Sequence, residues 1–465
     1  MRSKKTVGSL VLLICLALSL SVWAQNERAR VVVAQPNAAS ANPVTLRLKA
    51  TLGIHRHQLE TIDFSPDGQF LVTGSEQDKT KLWNIASGRL IAELDGSINP
   101  RHIGYEQSRT VFSPDSQLLL TTRGKDVSLW DATTGQLKFT LTGHEDNITA
   151  ASFSPGGERL ATGSSDGTIR LWNVTTGQFI KSLTVWRVKN LPKYRIISRA
   201  LSWPVIINLS FSPDGHQVLT TANTGATDSP AKLWDAETGK LLASLGGHTR
   251  QVGTMTESAA VDQAMFSPDG NFILTLGSDE AKLWDARSGG LKATLENLGG
   301  GISFSPDGRF LGLIKYKSRT GILSMKSLSV RAELGVDTVF LNQLAFSPDS
   351  QTLVFASGYK KYQAKLIDVS GGDIKATIPL ISKFGNDIVS PDYQKDVDLL
   401  AFHPNSRWLM GSNHNSVRFW DAETGHLVTE TMEGRDPAAI SPGGHLLVTA
   451  GKDKKSVLVW EMVGV

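Results

Sequence analysis

The stretch GHEDNITAASFSPGGERLATGSSDGTIRLWNVTTGQFIKSLT, residues 143–184, decides the architecture. Ser154-Pro155-Gly156-Gly157 places proline at the second position of a tight turn and glycine at its end, an arrangement that joins two antiparallel strands. Ser165-Asp166-Gly167 and Asn173-Val174-Thr175-Thr176-Gly177 punctuate the chain in the same way. Between these turns, Arg159-Leu160-Ala161-Thr162 and Ile169-Arg170-Leu171-Trp172 are short and alternate as half-buried strands do. The stretch therefore predicts four short antiparallel strands and no helix.

The same unit fills most of the chain. Phe153-Ser154-Pro155 recurs at Phe64, Phe112, Phe211, Phe266, Phe304 and Phe346, then as Phe402-His403-Pro404 and Ile440-Ser441-Pro442. From Ser65 to Ser441 is 376 residues over eight intervals, a mean period of 47. A second signature follows each first one and carries Trp83, Trp130, Trp172, Trp234, Trp284, Trp420 and Trp460. Units six and seven put Leu323 and Ile367 there, which predicts weaker packing. Four strands per unit at this period predict an all-β chain folded as a single β-propeller of four-stranded antiparallel blades, over residues 44–465. Nine copies imply nine blades. Eight, with one unit displaced, is the alternative, because four to eight is the usual range.

Gly143-His144, Ser165-Asp166-Gly167 and Leu171-Trp172-Asn173 resemble the WD-repeat propellers. In that family a His, a Ser or Thr, an Asp and a Trp form a buried hydrogen-bonded tetrad, which the resemblance implies for His144, Thr162, Asp166 and Trp172. Unit one offers His55, Thr73 and Trp83 with its acid displaced to Asp78. Unit five offers Thr275, Asp279 and Trp284, with His248 far upstream. The resemblance also implies a rigid, non-catalytic platform for other proteins.

The ring should close through the N-terminus. The chain ends soon after Trp460, too early for a fourth strand, whereas Leu48-Lys49-Ala50-Thr51-Leu52 repeats the fourth-strand sequence Leu291-Lys292-Ala293-Thr294-Leu295 letter for letter. Spacing also separates two faces. Marker to closing leucine is eleven residues in Trp83–Leu94, Trp172–Leu183, Trp234–Leu245 and Leu323–Leu334, but closing leucine to the next phenylalanine runs from 9 (Leu295–Phe304) to 28 (Leu183–Phe211). Length variation thus gathers in the loops from fourth strand to next first strand, where binding specificity is usually added.

The longest of these loops carries Trp186, Arg187, Lys189, Lys193, Tyr194, Arg195, Arg199 and Trp203, with no acid from Thr184 to Ile206. Aromatics among basic residues can anchor a partner surface or stack on sugars. They can equally staple a long loop to the rim. These eight residues are the candidate partner-binding set.

Arg2, Lys4 and Lys5, an apolar stretch from Val7 to Val22, and Val22-Trp23-Ala24 make a secretory signal peptide over residues 1–24, cleaved after Ala24. Residues 25–43, rich in Ala, Asn and Pro, read as a flexible leader. The expectation is an exported, bacterial protein, periplasmic or extracellular, that is not membrane-inserted after cleavage and is monomeric. Of 48 basic residues three lie in the first 24, leaving 45 against 44 acidic ones. That balance argues against nucleic acid as a partner. The one cysteine is Cys15, so disulfides, thiolate catalysis and Cys-containing zinc sites are excluded downstream. Gly163-Ser164-Ser165-Asp166-Gly167 fits a nucleophile-elbow pattern but sits between two strands, and no catalytic residue, metal site or cofactor is expected. The leading expectation is a protein-binding scaffold. Alternatives are glycan or small-molecule recognition at the channel mouth, and a propeller-hosted enzyme without a recognisable motif.

Overall fold

The computed structural model describes residues 31–32, 44–75, 79–96, 111–186, 205–223, 230–252, 255–278, 280–296, 298–315, 319–335, 344–357, 363–379, 399–412, 416–431 and 437–465. Among them every regular element is a β-strand. Nine antiparallel four-stranded blades form the ring, and the eighth carries a fifth strand. Blade 3 shows the plan, with strands Ile148–Phe153, Arg159–Ser164, Thr168–Asn173 and Phe179–Thr184 hydrogen-bonded in chain order from the axis outward.

Nine is the right count, and the core shows why. A blade has two apolar faces and cannot bury either alone, so stability comes from stacking. The buried side chains fall into nine clusters, each lying between neighbouring blades. Eight of them join blades consecutive in sequence. The ninth joins Val448, Val457 and Val459 of the last blade to Leu59, Ile62 and Trp83 of the first. The N-terminal strand Thr45–Ile54 completes that last blade, with Leu48 opposite Trp460 and Thr51 opposite Leu458. Closure hides Val44 and Leu46 completely.

The Ser-Pro-Asp-Gly turns make a second ring near the axis. In each the serine hydroxyl donates to the aspartate, as Ser212 does to Asp214 at 2.5 Å, and the glycine takes a positive φ, +74° at Gly215. Units with serine in place of glycine put Ser116, Ser350 and Ser406 at φ of 62°, 64° and 63°.

Units six and seven are not holes. The threonine that faces the tryptophan in blades 1 to 5 and 9 is replaced with it, by Leu313 in blade 6 and Phe355 in blade 7, and all four side chains, Leu313, Leu323, Phe355 and Ile367, are buried. The weaker packing expected from the missing tryptophans is corrected here, because an apolar pair replaces a hydrogen-bonded one.

Candidate protein-interaction site

The blades are braced by polar side chains on the face that carries the variable loops. In blade 3, His144 Nε2 lies 2.9 Å from Thr162 Oγ1, which accepts from Trp172 Nε1 at 2.9 Å, and His144 Nδ1 lies 2.8 Å from Asp166 Oδ2. Burial works to raise the Asp166 pKa, but hydrogen bonds from His144, Thr168 and the Glu145 amide outweigh it and hold the carboxyl well below its usual range. The structure thus brings His144, Thr162, Asp166 and Trp172 together.

Blade 1 keeps His55 and Trp83 on Thr73, each at 2.8 Å. Blade 5 does the same with His248 and Trp284 on Thr275, each at 2.8 Å. Here the acid is Glu280, whose Oε1 lies 3.5 Å from His248 Nδ1 and accepts the Thr249 amide at 2.8 Å. Asp78 and Asp279, the acids suggested by sequence, lie outside the described residues. His248 is close because the chain between it and the blade folds out as a hairpin, His248–Val252 against Met255–Ala259. Burial pushes the His248 imidazole down to about 4, partly opposed by Glu280. Blades 2, 4 and 9 retain the threonine–tryptophan bond alone among these contacts, through Thr121–Trp130, Thr220–Trp234 and Thr449–Trp460.

A third device pins the loop stems. The third-strand lysine reaches back to a carbonyl where the previous blade's outer strand ends: Lys81 to Ile54 at 3.0 Å, Lys282 to Gly247 at 2.8 Å, and Lys232 to Val185. The last of these holds the stem of the basic insertion. Burial lowers the Lys232 pKa. At the same stem the Val185 amide donates to Gly167 O at 2.9 Å, and the half-buried Trp186 packs on Gly167 and on the blade 3–4 core. Trp186 Nε1 is buried with no acceptor among the described residues. So Trp186 acts as a staple at the foot of the loop. Arg187, Lys189, Lys193, Tyr194, Arg195, Arg199 and Trp203 lie outside the described residues.

The outer rim supplies a feature that sequence reading missed. Every outer strand has a bulge one residue past the side chain that covers the tryptophan position, for example between Leu137 and Phe139. The bulged residue is Lys49, Lys138, Lys292, Arg331 or Lys375 in five blades. Lysine and bulges both discourage edge-to-edge pairing. The other four bulged residues are apolar: Ile91 and Val428 in blades 1 and 8 pack on the cores, whereas Ile180 and Leu242 in blades 3 and 4 are 40% and 42% exposed, beside Phe179 and Leu241 at 49% and 41%. Blades 3 and 4 are the two joined by the basic insertion. The signal was the residue after the Thr-Gly-x-Leu turn, legible only once the register was known.

Among the described residues no three His, Cys, Asp or Glu side chains gather as a metal set, and no helix is long and apolar enough to cross a membrane.

A closed ring of four-stranded blades with tryptophan-marked third strands defines a β-propeller. Comparison with known proteins agrees. The family described as WD domain, G-beta repeat matches residues 46–84, 135–173, 239–285 and 392–421, each match ending on a tryptophan-marked strand. Over these segments the chain is similar to the WD-repeat proteins. It is 29% identical over 229 residues to autophagy-related protein 16 of Arabidopsis thaliana, covering 49% of this chain and 38% of that protein. It is 26% identical over 195 residues to a guanine nucleotide-binding protein subunit beta of Zea mays, covering 41% of this chain and 48% of that one. The chain therefore spans less than half the length of either relative. The computationally designed Ika8 protein shares the fold, with a TM-score of 0.50 and 19% identity over 88% of this chain and 98% of its own.

Proposed function

We propose that this chain is an exported, non-catalytic WD-repeat scaffold that binds another protein on its variable-loop side, at the sector formed by blades 3 and 4. One observation carries the placement: the two blades that expose both residues of an apolar bulge pair are those joined by the insertion whose sequence holds Tyr194, Trp203 and five cations with no acid. The apolar pairs open the outer strands, at the end away from the variable loops. A partner that meets both them and the basic, aromatic insertion therefore lies along the outer rim of this sector, which suits an acidic surface with aliphatic anchors. The anchored stem lowers the ordering cost of docking there. A relative named as a subunit is by that name part of an assembly, which favours the scaffold reading over catalysis. Export rests on the basic start, apolar core and Val22-Trp23-Ala24, with Gln25 as the mature N-terminus.

The test is capture from the native cell envelope on the immobilised protein, beside a variant with residues 187–204 replaced by a short Gly-Ser link and a variant carrying Ile180→Lys and Leu242→Lys. Loss of the same captured proteins in both variants supports the sector. Retention in both moves docking elsewhere on the ring. N-terminal sequencing of the exported chain should begin at Gln25, and a chain retaining Met1 inside the cell would end the export reading.

A further inference from the structure

We infer that the outer edge of blade 8 is a strand-docking site and that its occupant is the chain's own leader. Val31 lies opposite Thr431 and Val32 opposite Glu430, antiparallel, which makes blade 8 the five-stranded sheet among the described residues. The edge is suited to this. Five other blades place a cation at the bulge; blade 8 has Val428, which turns into the core shared with blade 9, and so lacks that charge, as do blades 1, 3 and 4 with Ile91, Ile180 and Leu242. An unguarded edge is a template for another strand, and covering it is one way natural sheets avoid aggregation.

The direction of the chain fits as well. Val31 sits at the end of the blade 8 outer strand that leads to the next loop, Val32 follows it antiparallel to that strand, and on the opposite face Thr45 pairs with Val463 on neighbouring blade 9. The twelve residues 33–44 can reach about 40 Å, ample for one step between adjacent outer strands. The N-terminal segment would then strap both blades that flank the closure of the ring. The same backbone edge is available to an extended β-branched segment from elsewhere when the leader is lifted, as in strand addition generally.

Cross-linking tests this in the full chain carrying Cys15→Ser, which has no other thiol. Residues opposite in an antiparallel pair have Cα atoms about 4.5–5.5 Å apart, within disulfide range. Val31→Cys with Thr431→Cys should oxidise to an intramolecular disulfide in the monomer. Val31→Cys with Lys375→Cys, on the guarded edge of blade 7, should stay reduced. Separately, Val31→Pro with Val32→Pro leaves the ring untouched and should speed amide exchange over residues 428–431 at least tenfold. The inference is overturned by equal oxidation of both cysteine pairs, by none in either, or by a disulfide-linked dimer, which would assign the edge to a second copy's leader. Unchanged exchange in the proline variant overturns it too.

Discussion

The hydroxyl of Ser116 accepts the backbone N–H of Asp67 at 3.1 Å, across the junction of blades 1 and 2. Ser350 does the same for Asp307 at 3.1 Å and Ser406 for Asp349 at 2.9 Å. All three serines stand at positive φ where most units have glycine. A non-glycine residue there costs roughly 1–2 kcal/mol, and the inter-blade hydrogen bond offsets about that much. At the glycine junctions a turn still touches its predecessor: a Cβ on Gly308 would lie 3.5 Å from the Asp269 amide, and one on Gly68 would lie 3.5 Å from Pro442, where the last blade meets the first.

Ser116→Ala keeps the backbone strain and loses the bond, so it should cost about 1–2 kcal/mol in urea unfolding. Ser116→Gly loses the bond and the strain together and should fall within about 1 kcal/mol of the parent. Gly308→Ser should also be nearly neutral. If alanine and glycine at 116 behave alike, the compensation is absent.

Thr162 joins His144 and Trp172, so Thr162→Val leaves two buried polar groups without their partner and should cost about 2–4 kcal/mol. Asp166 gives the same network a pH dependence. Its folded pKa is depressed, so its contribution is complete above the unfolded value near 4 and fades as pH falls through the lower folded one. Acid unfolding of the parent should therefore be steeper below pH 4 than that of Asp166→Asn. Parallel acid limbs would mean that Asp166 does not sense His144 and Thr168.

What could be read from sequence follows from how local each feature is. The blade count was legible because Ser-Pro-Asp-Gly and the tryptophan signature each fix a turn or strand within five residues, and the copied Leu48–Leu52 strand gave the closure. The blade 5 brace was not legible. His248 is 27 residues before Thr275 where His144 is 18 before Thr162, and only the folded hairpin brings it back, with Glu280 as the acid. The unguarded edges were hidden for a related reason. Ile180 and Leu242 look like ordinary strand residues until the bulge turns them outward.

The apolar substitution in blade 7 can be tested as a pair. Phe355 faces Ile367 across the same space that Thr and Trp share elsewhere. Ile367→Trp alone overpacks a buried site and should cost about 1–3 kcal/mol. Phe355→Thr alone leaves a cavity and an unpaired hydroxyl, about 3–5 kcal/mol. The double variant rebuilds the arrangement of Thr275 and Trp284, so its cost should be smaller than the sum by at least 1 kcal/mol. Additive costs in a double-mutant cycle would show that the two positions are packed independently.

Asp63 gives the last prediction, and its sign opposes that of Asp166. It lies in the first strand of blade 1, at the position that Ser152, Ser210, Ala345 and Ala401 occupy in other blades, and burial pushes its carboxyl up to about 7. Between the unfolded value near 4 and about 7, the folded chain holds a proton that the unfolded chain has released. Folding stability therefore falls as pH rises through that window and levels off above it. Asp63→Asn removes the ionisable group while keeping its size. At pH 8 it should be more stable than the parent by on the order of 1–3 kcal/mol, and at pH 4 the two should be nearly equal. Chemical denaturation at pH 4, 6 and 8 measures the difference between the two proteins directly. A constant difference across the three pH values would mean that Asp63 titrates as an ordinary surface carboxylate, with no penalty from its place in the inner wall of the ring.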